Sequence, residues 1–156
     1  MRLDDCFKKR LLREDRADNF KSRKALEMAD LKIARARELF ESGFYEESIV
    51  SSYTSMFHAA RALLFRDGII ERSHACVIAY LSEHYRKSLG HHLINWLNTY
   101  RLERHESFYG MDTLEVDESE VNDALKKAEK FLESVRSIIE KRNTNIGEDG
   151  HTGKSK

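Results

Sequence analysis

The residues best suited to chemistry stand together in one charged segment, YRLERHESFYG, at positions 100–110. Arg101 and Arg104 are three residues apart and share a helix face, and His105 and Tyr109 follow within the next turns. Arginine offers a fixed fork of donors to phosphate oxygens, whereas histidine and tyrosine can hold or move a proton. Metal-free cleavage of RNA needs a base, an acid and a cation, so these side chains could supply it. The alternative is a solvated helix end, where basic residues favourably meet the helix dipole.

A further candidate, His58, lies in the least charged part of the chain. The thirteen residues from 48 to 60 carry no charge, although 35% of the whole chain is charged. At 100° per residue the apolar side chains form one stripe, and small or weakly polar residues, His58 among them, form another. Segment 45–67 is therefore predicted to be the central helix of a bundle. Its apolar stripe comprises Ile49, Tyr53, Met56, Phe57, Ala60, Leu63 and Leu64.

The spacing of the glycines indicates where the other helices end. The chain contains no proline, and four glycines (43, 68, 90 and 110) each stand where a periodic apolar pattern stops. Glycine is favoured just past a helix end because it adopts positive φ without strain. The predicted helices are 22–42, 45–67, 73–88, 91–106 and 118–142. No segment alternates with the period of a strand, so the predicted fold is all-α, an antiparallel helical bundle of about five helices without strands.

Both ends of the chain are predicted to be peripheral to the bundle, which is expected to span residues 22–142. Residues 1–21 form a charged N-terminal arm, in which Leu3, Phe7 and Leu11 are spaced four apart. This spacing suits a short amphipathic helix that docks on a partner, and a poorly ordered arm is the alternative. Residues 143–156 are glycine-rich and polar, and we expect a disordered tail.

Composition excludes several classes of function. The formal net charge is zero, so no overall field indicates nucleic acid binding. No HExxH motif, phosphate-binding loop or Cys/His cluster occurs, and neither metal nor cofactor is expected. Two cysteines, Cys6 and Cys76, are too few for a disulfide framework, and the pattern favours reduced thiols. No apolar run approaches a membrane span, and the N-terminus does not have the pattern of a signal peptide. We therefore expect a cytoplasmic protein without membrane contact.

The motifs together resemble those of small prokaryotic HEPN-domain proteins. The run SSYTSMFHAARALL at 51–64 is similar to the second-helix motif of that group, usually close to RAYYAMFHAARALL. Segment 29–45 looks like its first helix and turn, and His74 stands where many members carry a histidine. RHESFY, at 104–109, resembles the motif R-x-x-A-D-Y, with Ser107 and Phe108 in place of Ala and Asp. The resemblance covers about residues 25–142.

The resemblance implies a helical bundle that commonly forms a homodimer. Many members act with a minimal nucleotidyltransferase as a toxin–antitoxin pair. Catalytic members are metal-independent ribonucleases with an arginine and, four to six residues later, a histidine at the dimer cleft. Here only three residues separate Arg101 from His105, and Ser107 stands where such ribonucleases carry histidine.

Two functional interpretations follow from these residues. The first is a HEPN subunit that pairs with a nucleotidyltransferase and contacts nucleotide or RNA through Arg101, Arg104 and His58. Weak ribonuclease activity would then use Arg104, His105 and Tyr109, with His105 or His58 as the proton carrier. The alternative is a non-catalytic helical module for interaction and dimerisation, in which the arginines serve packing.

Overall fold

The prediction of an all-α bundle is confirmed by a computed structural model, which describes residues 2–109 and 116–154, with the side chains of 102–109 and 142–154 left out. Each predicted helix has a counterpart in the structure, and α3 has the predicted bounds. In chain order the elements are α1 Leu3–Lys8, β1 Leu12–Glu14, α2 Asn19–Glu41, α3 Tyr45–Asp67, β2 Ile69–Glu71, α4 His74–His84, α5 Arg86–Leu89, α6 His91–Tyr109 and α7 Glu118–Lys154.

The core is built around α3, which packs against α2, α6 and α7. Its predicted apolar stripe is buried, with Met56 and Leu63 fully inaccessible. The long helix α7 covers the bundle with a stripe of its own. The buried residues of α7 are Val121, Ala124, Leu125, Ala128, Phe131, Leu132, Val135 and Ile139. Two ion pairs, Arg37–Glu129 and Arg136–Asp30, join α7 to the exposed rim of α2.

The small-residue face of α3 packs against α2 of the same chain. Four serine hydroxyls on the two helices each donate a hydrogen bond to a carbonyl of the other helix. The pairs are Ser22 to Ala62, Ser48 to Ala36, Ser51 to Lys32 and Ser55 to Ala29, at 2.7, 2.7, 2.8 and 2.7 Å respectively. Small side chains let the two backbones approach closely enough for these bonds, which satisfy hydroxyls that would otherwise be buried without partners.

The expectation of no strands was wrong at one place. Residues 12–14 pair antiparallel with residues 69–71, with Leu12 opposite Glu71 and Glu14 opposite Ile69. Three residues are too few to display an alternating pattern, so the pairing left no signal in the sequence. Strand β2 of this two-stranded sheet begins directly after Gly68, whose positive φ of 76° ends α3. Gly68 also lies close to the backbone of Asp15, because a Cβ added at this glycine would stand 2.5 Å from the carbonyl oxygen of Asp15.

The expectation of reduced thiols was also wrong, because Cys6 and Cys76 form a disulfide between α1 and α4. The two residues are 70 positions apart, and only the folding of α1 back onto α4 brings them together. Of the two alternatives for the N-terminal residues, the structure contains the short helix, and it docks on its own chain, with Cys6 and Leu12 buried.

Two further helix boundaries differ from the predicted ones, since the third predicted helix is interrupted and α7 continues to Lys154, beyond the predicted end at 142. The predicted helix 73–88 is broken at Tyr85, whose buried hydroxyl donates to Asp67 at 2.6 Å, and α5 follows the break. Ser73 caps α4 as predicted, accepting a hydrogen bond from the amide of Cys76. The side chains of the predicted tail and the whole of Gly110 lie outside the described residues. Within the described ranges, none of the helices combines the length and the apolar character that a membrane crossing requires.

Candidate functional site

His58 projects from the middle of α3 into a half-buried position beside three other basic side chains. Arg61 lies one turn further along α3, Lys32 comes from α2, and His74 begins α4. We call these four residues the His58 cluster. Burial lowers the pKa of His58 from 6.5 to about 4, and the charges of Arg61 and Lys32 act in the same direction. At neutral pH the imidazole is therefore uncharged and can accept a proton or a hydrogen bond.

His74 is held in place by aromatic residues of α3. Its Nδ1 shares a hydrogen bond of 2.7 Å with the hydroxyl of Tyr53, with a direction that depends on the tautomer of the ring. The ring also stacks on Phe57, with centroids 3.8 Å apart. Because Tyr53 and Phe57 are both buried, the position of His74 is set by the core. His74 is thus held in one orientation by the hydrogen bond to Tyr53 and the stacking on Phe57.

Arg61 is fixed by both charge and stacking. Its Nε lies 2.8 Å from a carboxylate oxygen of Glu71, on β2, and its guanidinium lies over the ring of Phe65 at 5.1 Å. Burial raises the pKa of Glu71, while Arg61 opposes that rise. Arginine over an aromatic ring is a favourable arrangement that also restricts the side chain. The sequence analysis did not identify Lys32 and Glu71 as neighbours of His58, because they belong to other elements. Arg61 could have been identified, because it lies three residues after His58 on the same helix.

Arg101 lies apart from the His58 cluster, in a groove of about 530 Å³ between α4, α6 and the N-terminal segment. Its Nε donates a hydrogen bond of 3.2 Å to the side-chain oxygen of Asn98. Arg2 also lines this groove, as does Glu83, so two cations and one carboxylate share it. The described contacts of His58 and of Arg101 have no residue in common. The structure thus presents two polar surfaces where the sequence analysis grouped these residues together.

The remaining candidate residues are on the last turns of α6. Arg104, His105 and Tyr109 lie on the helical backbone, but their side chains are outside the described residues, so their roles stay predictions. Among the side chains that the structure does describe, no group of three or more His, Cys, Asp or Glu is arranged to hold a metal ion.

Fold and motif together define the class: a small all-α bundle whose buried central helix carries the run FHAARALL. The model of the HEPN domain family matches residues 22–138, and the chain belongs to that family. The resemblance drawn from the sequence motifs is thereby confirmed.

Individual relatives extend the comparison over most of the chain. Two proteins of Methanocaldococcus jannaschii, both named "Putative toxin", are similar to it. One is 26% identical over 131 residues, which are 83% of this chain and 88% of that protein. The other is 26% identical over 119 residues, or 73% of this chain and 85% of that protein. A protein of Archaeoglobus fulgidus, named UPF0332 protein, is 31% identical over 118 residues, covering 72% of this chain and 90% of its own length.

Proposed function

We propose that this chain is the HEPN subunit of a toxin–antitoxin pair, with a minimal nucleotidyltransferase as its partner protein. The observation that carries the proposal is its similarity to the two proteins named as toxins, which extends over most of each chain. In this proposal the subunit acts as a homodimer and binds RNA or nucleotide.

The charges of the His58 cluster favour the binding of a ligand that carries a phosphate group. An uncharged imidazole lies among Lys32, Arg61 and His74, where positive charge from two helices converges. A phosphate placed there would be attracted to the cations and would favour the protonated form of His58. Ligand binding would then be coupled to proton uptake by His58, and affinity would rise as the pH falls.

Arg101 supplies the second proposed contact. Asn98 orients its guanidinium within the groove, and α6 continues from there to Arg104, His105 and Tyr109. Weak metal-independent ribonuclease activity would use Arg104, His105 and Tyr109 at this end of α6. The proton carrier would be either His105 or His58. The alternative, a non-catalytic interaction module, is favoured by the pairing of Arg61 with Glu71, since that arginine already has a structural role.

The test for ligand binding is the salt dependence of RNA affinity. Each phosphate neutralised contributes about one unit to the slope of log affinity against log salt, so Arg101→Ala should lower the slope by about one. Arg86→Ala, at an exposed position on α5, is the matched control and should leave the slope unchanged. Equal slopes for all three proteins would remove Arg101 from the ligand site.

RNA cleavage and complex formation with the nucleotidyltransferase require separate measurements. RNA cleavage in the presence of EDTA that is abolished by Arg104→Ala, with the circular dichroism spectrum retained, would establish the ribonuclease. Co-expression with a minimal nucleotidyltransferase encoded beside this chain should yield a complex on gel filtration. A chain that neither cleaves RNA nor joins that complex would contradict the proposed function.

A further inference from the structure

The N-terminal segment forms one wall of the groove that contains Arg101, although it lies outside the residues that match the HEPN family. The family model matches residues 22–138, whereas Arg2 and Leu3 line the groove together with Arg101. Arg2 directly precedes α1, and its carbonyl accepts a hydrogen bond of 3.2 Å from the amide of Cys6. The position of Arg2 therefore follows the position of α1.

Arg2 determines the charge of this groove. Among the described residues that line it, the charged ones are Arg2, Arg101 and Glu83. Two arginines less one carboxylate leave one net positive charge, whereas Arg101 and Glu83 alone would cancel. A guanidinium attracts a phosphate group and can donate two parallel hydrogen bonds to it. Since Arg2 is exposed, a ligand in the groove can reach its side chain.

The other side of the groove is apolar. The groove has a volume of about 530 Å³, and its apolar wall comprises Leu3, Ala75, Ile78 and Ala79. Sites for small ligands combine an apolar lining with a few polar groups that fix the orientation of the ligand. Two arginines beside an apolar wall suit a nucleoside phosphate, whose phosphate group and base would meet these two surfaces. Such a unit occurs both in a free nucleotide and in an RNA chain.

The short helix α1 is weakly held without a covalent bond. It has six residues, and isolated helices shorter than about 12–15 residues are marginal in water. Its apolar side chains Leu3 and Phe7 are only partly buried against the core. The chain returns from α1 to β1 through Arg10, whose φ of 57° is disfavoured for a residue with a Cβ. The disulfide between Cys6 and Cys76 is therefore the main anchor of α1.

This disulfide also joins two walls of the groove. Cys76 directly follows Ala75 on α4, and Cys6 lies one helical turn after Arg2. Both cysteines are fully buried, so a small thiol can reach the disulfide only when α1 opens locally. Once the bond is reduced, α1 is free to leave α4 and to carry Arg2 out of the groove.

We propose that Arg2 is a second ligand-binding residue of the Arg101 groove, and that the Cys6–Cys76 disulfide makes its contact with a nucleoside phosphate dependent on redox state. When the Sγ–Sγ bond forms, the two thiols lose two protons and two electrons. A small-molecule disulfide such as oxidised glutathione accepts them and leaves as two thiols, and a small dithiol reverses the exchange. The inference rests on the ligand-binding role of Arg101 in the proposed function.

The first test is hydrogen exchange of the protein without ligand. Amides of residues 3–11 should exchange at least about tenfold faster after reduction with dithiothreitol, whereas the amides of α3 should stay protected. The double variant Cys6→Ser/Cys76→Ser should match reduced wild type, with or without oxidant. Two free thiols that persist in wild type under oxidised glutathione would overturn the proposal. Equal protection of residues 3–11 in both redox states would do the same.

The second test is ligand binding, with AMP in calorimetry and a short fluorescein-labelled single-stranded RNA in anisotropy. Oxidised wild type should bind about tenfold more tightly than reduced wild type, because a charge-assisted contact is lost on reduction. Oxidised Arg2→Ala should bind as weakly as reduced wild type and should not respond to dithiothreitol. Lys9→Ala removes the same charge at an exposed position beside α1, outside the groove lining, and should keep the redox response.

The two probes and the variants separate the possible outcomes. A redox effect on both AMP and RNA supports recognition of a single nucleotide unit, and an effect on RNA alone supports recognition of that unit within a chain. Equal affinities in the two redox states, with binding still lost in Arg101→Ala, would overturn the proposal and leave the role of Arg101 intact. So would an Arg2→Ala protein that keeps the full redox response. Absence of binding in both states would overturn the ligand binding of the proposed function as well.

Discussion

Acidification should destabilise this protein through His58, and the structure predicts by how much. In the folded chain the pKa of His58 is lowered to about 4 by burial and by Arg61 and Lys32, whereas in the unfolded chain it returns to 6.5. Between these values the unfolded state binds the proton more tightly, so folding stability falls as the pH falls through this range. Above about pH 6.5 both states are neutral and the penalty is absent.

The magnitude follows from the two pKa values. One pKa unit corresponds to about 1.4 kcal/mol, so at pH 5 the unfolded state gains about 2 kcal/mol from protonation that the folded state largely lacks. Because His58 is only half buried, solvent screens part of the effect, and we expect about 1 kcal/mol.

The assay is chemical denaturation of wild type and His58→Gln at pH 7 and pH 5. Carboxylates and the other histidines titrate in both proteins, so the difference between the two pH-dependent losses isolates His58. Wild type should lose about 1 kcal/mol more than the variant between these pH values. Equal losses would refute the reasoning, as would an NMR titration that placed the pKa of His58 near its ordinary value.

Three further changes test the core, the disulfide and a glycine. Phe57→Ala should cost about 3–5 kcal/mol in denaturant unfolding, because this ring is buried and supports the His58 cluster, whereas His58→Gln at pH 7 should cost under about 1 kcal/mol. Removing the disulfide with Cys6→Ala and Cys76→Ala should lower stability by roughly 4 kcal/mol, since it closes a loop across 70 positions; an unchanged melting temperature would contradict this. Gly68→Ala should destabilise by about 1–3 kcal/mol more than Gly43→Ala: both glycines have positive φ, but only at Gly68 would a Cβ meet the backbone.

The candidate site could be predicted only in part. His58 was recognisable from its place on the less apolar side of the central helix, and Arg101 from its place in the cluster at the end of α6. Neither the separation of these two residues nor the convergence of Lys32 and His74 on His58 is encoded in local spacing, because the partners belong to different helices. For Arg104, His105 and Tyr109 the sequence prediction stands untested.

The sequence by itself determined the helices, because an apolar period of 3.6 residues and glycine at helix ends are local properties that neighbouring residues express without the rest of the chain. The sequence motif at residues 51–64 of α3 also indicated the family. Only the tertiary structure decided which surfaces meet. It paired Cys6 with Cys76, joined two three-residue strands, and set the small-residue face of α3 against α2 rather than against another molecule. Each of these depends on residues far apart in sequence, whose approach is governed by how the helices pack and not by any pattern within a single helix.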